Sequence, residues 1–83
     1  MRRIEVAPLS EGWRVRIDDV RNDLVFRSGQ TAEAAARRLA DRLGRAGETS
    51  ELWIRLRDHS LAARQIWPAT TALPEREASE AAA

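Results

Sequence analysis

The sequence predicts an α+β fold, a two-layer sandwich in which one helix covers one face of an antiparallel sheet of four to five strands. Residues 13–18 and 51–57 alternate apolar and charged side chains, as a strand with one buried face does. Between them, residues 32–43 repeat apolar side chains at spacings of three and four, which is typical of one face of a helix. Strands on both sides of a single helix give the order β-β-β-α-β-β and favour packing of the helix on the sheet.

Two shorter segments complete the predicted strands before the helix. Residues 3–7 alternate until Pro8, which has no N–H for a strand ladder and therefore ends the run. A polar turn at residues 18–23 precedes a short apolar segment at residues 24–26. We expect the three strands before the helix to form a meander.

The helix has recognisable start and stop signals. Thr31 has a hydroxyl that can accept a hydrogen bond from a free backbone amide, and Glu33 follows in the first turn, where the helix dipole favours an anion. The pair Glu33 and Arg37 has the four-residue spacing of a favourable helical ion pair. Gly44 or Gly47 is expected to end the helix, because glycine tolerates the left-handed conformation of a C-terminal cap.

Two strands are predicted after the helix, at residues 51–57 and 61–67. The polar run Asp58-His59-Ser60 separates them and is expected to turn the chain back. The second strand is the weaker of the two, because Ala62-Ala63 blurs its alternation, and Pro68 ends it.

One domain is therefore expected over residues 1–67. Residues 68–83 carry scattered acids and alanines without an apolar stripe, and we expect them to form a mobile C-terminal tail. The apolar sides of the strands and of the helix define a small core. The predicted core residues are Ile4, Val6, Trp13, Val15, Ile17, Phe26, Leu39, Leu43, Leu52, Ile54 and Leu56.

The composition excludes several classes of site. The 83 residues include no cysteine, which excludes disulfides, thiolate nucleophiles and cysteine-ligated metals. Fourteen basic residues, all of them arginine, nearly balance thirteen acids and leave a net charge of +1, which argues against strong binding to duplex nucleic acid. Met1-Arg2-Arg3 leads into an alternating pattern instead of a long apolar run, so we expect a cytoplasmic protein without a membrane partner.

Three short motifs occur in a distinctive order and spacing: Gly12-Trp13-Arg14-Val15-Arg16, Thr31-Ala32-Glu33-Ala34 and Leu52-Trp53-Ile54-Arg55-Leu56. Together they resemble the small bacterial family catalogued as domain of unknown function 2188, over roughly residues 4–66. The chain has Asp58-His59 where members of that family usually have Asp-Gly before the last strand. The resemblance supports the α+β fold and implies no activity and no site.

The polar sides of the two strong strands are the most informative candidate site. If alternate residues of each strand face the helix, then Arg14, Arg16, Trp53, Arg55 and Arg57 face outward on the open side of the sheet. Such a face can bury its indole against a protein partner or a second copy, with the arginines at the rim. Alternatively, the guanidinium groups contact phosphates while the indole stacks on unpaired bases. A third interpretation is an ordinary solvated face on which arginine stems cover the indole.

Other combinations of polar residues have simpler explanations. Asp58-His59-Ser60 contains the residue types of a hydrolase triad, but consecutive residues cannot adopt the relay geometry, and we interpret them as a turn. The acids at residues 18–23 lack the spacing of a calcium-binding loop. We therefore predict no catalytic, cofactor-binding or metal-binding residue, and a non-enzymatic protein-interaction or self-association module that uses the open sheet face. The alternative is weak single-stranded nucleic-acid binding by the same face.

Overall fold

Five strands and one helix form the part of the chain that the computed structural model describes, residues 1–70. The predicted tail lies outside these residues from position 71 onward. The elements confirm the α+β class and the order β-β-β-α-β-β. They are β1 (Arg2–Leu9), β2 (Gly12–Ile17), β3 (Leu24–Phe26), α1 (Gly29–Arg45), β4 (Ser50–Arg55) and β5 (Leu61–Trp67).

The strands form one sheet in the order β3-β2-β1-β4-β5, with β1 at its centre. Hairpin turns make β1–β2, β2–β3 and β4–β5 antiparallel, while β1 and β4 are parallel. The sheet is therefore mixed and mostly antiparallel, where the sequence suggested a purely antiparallel one. The parallel pair arises because α1 carries the chain back across the sheet before β4 begins, as a crossover between parallel strands requires.

The helix begins earlier than the sequence suggested. Ser28 has an extended backbone and is the N-cap residue, and its hydroxyl accepts a hydrogen bond from the amide of Thr31 at 3.1 Å. Thr31, the predicted cap, lies inside the first turn, where its hydroxyl donates to the carbonyl of Ser28 at 3.0 Å. Both hydroxyls thus belong to one capping arrangement, and Ser28 has the extended backbone that a cap needs.

The helix ends at Arg45, and the second of the two candidate glycines, Gly47, lies in the cap that follows. Gly47 has a φ of 92°, a left-handed conformation that suits glycine at the end of a helix. Its amide donates to the carbonyl of Gly44 at 3.0 Å. Gly44 is still helical and buried, and a Cβ there would lie 3.1 Å from the carbonyl oxygen of Pro68. Gly44 therefore permits a close approach of the chain that follows β5.

The outer side of α1 is polar, as predicted. Ion pairs join Glu33 to Arg37 at 3.3 Å and Asp41 to Arg45 at 3.0 Å. Each pair places the acid four residues before the base, which is the favourable orientation on a helix. Within residues 1–70, α1 is the only helix, and its 17 residues do not make a membrane-spanning segment.

The core lies between the inner side of the sheet and an alanine stripe on α1. Ile4 and Leu52 are fully buried, as are Ala32, Ala36 and Ala40 on the helix. Because alanine projects a single methyl group, the helix axis can approach β1 and β4 closely. Val6 and Val15 complete the buried cluster, and partly buried apolar side chains surround it: Trp13, Ile17, Phe26, Leu39, Leu43, Ile54 and Trp67.

Leu56 is the one predicted core residue that lies outside the core, with 52% of its surface exposed. The β4–β5 ladder shifts register between Ile54 and Arg55, because Ile54 pairs with Ala63 whereas Arg55 pairs with Leu61. The extra residue of this β-bulge is Ala62 of β5, and the alternation of β4 continues only as far as Arg55. β4 ends at Arg55, and Leu56 belongs to the turn that follows.

The close helix–sheet contact gives the first prediction. Replacing the fully buried Ala36 by leucine forces extra volume between α1 and the sheet, so Ala36→Leu is expected to lower the free energy of unfolding by about 1–3 kcal/mol. Ala34 is exposed on the same helix, and Ala34→Leu should change it by less than about 0.5 kcal/mol. Urea denaturation followed by circular dichroism measures both. Equal effects of the two variants would contradict the tight packing described here.

Candidate interaction surface

The side of the sheet opposite α1 is a surface of long polar side chains, called here the open face. Since Ile4 and Val15 point toward the helix, the residues that alternate with them point away from it. Ala7 also lies on this side and yet is only 1% exposed, because longer side chains surround it. The main residues of the open face are Arg3, Glu5, Arg14, Arg16, Glu51, Trp53, Arg55 and Arg64.

Trp53 lies near the middle of the open face, on the side of the sheet that the alternation predicts. Its neighbours in the ladders are Glu5 on β1 and Arg64 on β5. The guanidinium carbons of Arg3, Arg55 and Arg64 lie 4.3, 5.5 and 5.5 Å from the centre of the ring, within the range of cation–π attraction. The indole is half-buried among these arginines, so it is not a bare platform.

The indole N–H of Trp53 has no acceptor among residues 1–70, although its Nε1 atom is buried. A buried donor without a partner is rare and carries a free-energy cost. The centre of the open face therefore contains an unused hydrogen-bond donor next to an apolar ring.

Glu5 connects two of the predicted arginines from its position on the central strand. Its Oε2 atom accepts a hydrogen bond from Nε of Arg55 at 2.7 Å, and its Oε1 atom lies 3.8 Å from Nη2 of Arg14. Oppositely charged neighbours on adjacent strands stabilise a sheet. Arg14 and Arg55 are therefore on the open face as predicted, but their charges are largely neutralised there.

Asp23, from the turn before β3, holds the remaining predicted arginine of β2. Arg16 donates from Nε and Nη2 to the two carboxylate oxygens of Asp23 at 3.0 and 3.1 Å, and Nη1 of Arg14 lies 3.6 Å away. The side-chain hydrogen bonds from Arg16 are the main reason why the pKa of Asp23 is lowered. The sequence placed this acid in a turn and gave no sign of this contact.

Arg57 does not join the open face, contrary to the prediction. It follows the end of β4, and its Nη1 atom donates to the carbonyl of Leu9 at 2.8 Å. Its guanidinium lies 5.0 Å from the ring centre of Trp13, which packs against the core. β4 ends at Arg55, and Arg57 lies in the turn that follows, so the two-residue period of the strand does not extend to it.

Four charged residues of the open face were not among the predicted site residues: Arg3, Glu5, Glu51 and Arg64. Arg3 and Glu5 lie in the alternating run of β1, on the side opposite its apolar residues. Arg64 forms an ion pair with Glu51 at 3.1 Å across β4 and β5. The weak alternation of β5 concealed Arg64, whereas the alternation of β1 indicates Arg3 and Glu5 and that of β4 indicates Glu51.

The run Asp58-His59-Ser60 is a turn, as interpreted from the sequence. An Asp58 side-chain oxygen accepts hydrogen bonds from the amide of Ser60 at 2.9 Å and from its hydroxyl at 2.6 Å. The hydroxyl bond is the main cause that lowers the pKa of Asp58. His59 has a φ of 70°. The serine donates to the aspartate rather than to the histidine, so these residues do not form the chain of hydrogen bonds of a catalytic triad.

Residues 1–70 contain no group of three histidine, aspartate or glutamate side chains arranged to hold a metal ion. The open face offers charge pairing, stacking of guanidinium groups on an indole, and one indole donor without an acceptor among residues 1–70.

The contact between Arg16 and Asp23 gives a pH prediction. Because the folded-state pKa of Asp23 is lowered, its contribution to stability is present above the ordinary aspartate value of about 3.9 and is lost as the pH falls through the folded value. Wild type should therefore be more stable than Asp23→Asn at pH 7, and the difference should shrink toward pH 3.

Urea denaturation across this pH range measures the effect. Asp19→Asn is a matched control, because Asp19 is exposed and forms no ion pair within the described part of the chain. A difference between wild type and Asp23→Asn that stays constant with pH would contradict the assignment.

No protein-family model, curated protein or solved structure matches this chain. The resemblance to the family of domain of unknown function 2188 therefore stays a prediction.

Proposed function

We propose that the chain is a non-catalytic protein-interaction or self-association module that uses the open face as its contact surface. The observation that carries this proposal is the environment of Trp53, a tryptophan surrounded by three arginines on a sheet face that α1 leaves uncovered. Tryptophan and arginine are the residues most enriched where interfaces gain their binding energy.

The charge pattern favours a protein surface over a nucleic-acid backbone. Arg14, Arg16, Arg55 and Arg64 each already pair with a carboxylate of the same face. A phosphate would have to compete with those carboxylates, and binding to a nucleic-acid backbone depends on free cations. A protein surface that carries both positive and negative side chains can form new ion pairs with these residues. Every charged group then keeps an oppositely charged neighbour.

The buried indole donor of Trp53 can gain a hydrogen bond when a partner binds. A partner that moves the covering arginine side chains aside can offer an acceptor to Nε1 and bury the ring at the same time. The arginines that now cover the ring can then bind carboxylates at the rim of the interface, where water remains accessible. In this arrangement the centre of the contact is apolar and its edge is charged, as in other protein interfaces.

A concentration series tests the self-association form of the proposal. Sedimentation equilibrium from micromolar to millimolar concentrations should show association, and Trp53→Ala should weaken it by about 30-fold or more, the effect of truncating a central interface tryptophan. Trp53→Phe keeps an apolar ring and should lose less. Circular dichroism establishes that both variants fold. A protein that stays monomeric at millimolar concentration, or association that Trp53→Ala leaves unchanged, would contradict it.

A second candidate function is weak binding of single-stranded nucleic acid by the same face. The observation that favours it is Arg3, whose guanidinium lies 4.3 Å from the centre of the Trp53 ring and forms no ion pair within residues 1–70. A cation without a carboxylate partner, beside an aromatic ring, is the minimal arrangement for holding a phosphate next to a stacked base.

Fluorescence anisotropy with a labelled oligothymidine at low salt tests this alternative. Binding should weaken as salt is raised, because counterions compete for the phosphates. Arg3→Gln should reduce both the affinity and its salt dependence, and Trp53→Ala should reduce the affinity. Arg21→Gln, which also removes one exposed arginine, is the control. The absence of binding, or equal losses for Arg3→Gln and Arg21→Gln, would exclude a specific site.

A further inference from the structure

The outer edge of β5 is the longest strand edge that residues 1–70 leave uncovered. β5 is the last strand of the sheet, with β4 as its neighbour on one side only, and residues 61–66 are all exposed. The opposite edge, β3, has only three residues. An uncovered edge carries backbone N–H and C=O groups without partners, which can pair with another strand.

This edge lacks most of the features by which proteins prevent such pairing. Pro68 lies beyond the strand, and Arg64 is the single charged residue within it. Two apolar side chains of the strand are exposed, Leu61 by 43% and Ile66 by 51%. The bulge beside Ala62 disturbs one end only, so residues 63–67 remain regular enough to form a ladder.

We propose that β5 pairs antiparallel with β5 of a second copy of this chain, about a two-fold axis that passes through Gln65. The pairing would join the two five-stranded sheets into one continuous sheet. It uses the sheet edge and therefore goes beyond the proposed function of the open face.

The register follows from the requirement that opposed residues point to the same side of the sheet. A two-fold axis perpendicular to the sheet must then pass midway between the two copies of one residue. That residue lies opposite itself in the pairing. An axis at Arg64 would place two guanidinium groups opposite each other, which is unfavourable. An axis at Gln65 places two amides opposite each other, and an amide both donates and accepts hydrogen bonds, so the pair is self-complementary.

The neighbouring pairs in this register are also compatible. Trp67 lies opposite Ala63 of the second copy, so a large side chain meets a small one on the helix side of the sheet. On the other side, Arg64 lies opposite Ile66 of the second copy, and Ile66 is itself paired with Glu51. The two guanidinium groups are therefore not opposed, and each Arg64 keeps its ion pair with Glu51 of its own chain.

Other registers shorten the ladder. An axis at Ala63 would bring the bulge at Ala62 into the middle of the pairing, and an axis at Ile66 would bring Pro68 opposite Arg64. Proline has no N–H to donate. Gln65 is therefore the centre that uses the regular part of β5 most fully.

The absence of cysteine makes a single-cysteine experiment possible. In this register the two Cα atoms of residue 65 lie about 4.5–5.5 Å apart, inside the range of about 4.4–6.8 Å that a disulfide spans. For residue 64 or 66, the offset along the strands raises the separation to about 8 Å. After mild oxidation, Gln65→Cys should give a cross-linked dimer at least 10-fold more abundantly than Arg64→Cys and Ile66→Cys.

A second variant tests the association without a covalent bond. Gln65→Lys places two ammonium groups on the axis and should weaken dimer formation at least 10-fold in sedimentation equilibrium. Leu24→Lys introduces the same charge on the other edge strand, where the side chain is also exposed, and should leave dimer formation unchanged. Circular dichroism establishes that each variant folds.

Three results would overturn the proposal: cross-linking of Gln65→Cys no greater than that of the two flanking variants, preferred cross-linking of Arg64→Cys, or equal weakening by Gln65→Lys and Leu24→Lys. Different variants distinguish this proposal from the proposed function of the open face. Trp53→Ala should reduce association through the open face and leave cross-linking at position 65 intact, whereas Gln65→Lys should act only on the edge.

Discussion

The contact between the alanine stripe of α1 and the central strands determines which side of the sheet remains open. Ala32, Ala36 and Ala40 are buried against a cluster that includes Ile4 and Leu52. Because these side chains are small, the helix lies close to the sheet and buries the apolar residues of β1 and β4 on its side. The residues that alternate with them in the strands must therefore point to the opposite side of the sheet. The open face is a direct consequence of this packing, and the residues that occupy it follow from the strand period.

The topology then decides which charges meet on that face. α1 returns the chain so that β4 lies parallel to β1, and this places Trp53 beside Glu5. The antiparallel pairing of β1 with β2 places Arg16 on the other side of the same glutamate. The row that crosses the middle of the sheet consists of Arg16, Glu5, Trp53 and Arg64. One carboxylate therefore lies between cationic and aromatic side chains, and both signs of charge occur on the open face.

The parts that could be predicted from the sequence are those governed by a regular period. Alternation gave the outward orientation of Arg14, Arg16, Trp53 and Arg55, since these residues lie within regular strand. It failed at Arg57, because β4 ends at Arg55 and Arg57 lies in the turn before β5, where the two-residue period no longer applies. The contact of Arg16 with Asp23 could not be predicted from the sequence either. It depends on how the turn before β3 folds back over β2, and no fixed residue spacing indicates such a contact.

The β4–β5 bulge also determines how much of the edge strand β5 is regular. It removes Ala62 from the β4–β5 ladder beside Arg55, the last residue of β4, and Leu56 and Arg57 follow in the turn. The regular part of β5 therefore begins at Ala63, and the proline after Trp67 closes its other end. A short edge with one charge and a polar residue at its centre restricts pairing to few registers, because a shift by one residue exchanges the two faces of a strand. The extra residue at one end of β5 thus leaves the regular ladder over residues 63–67, and Gln65 is its central position.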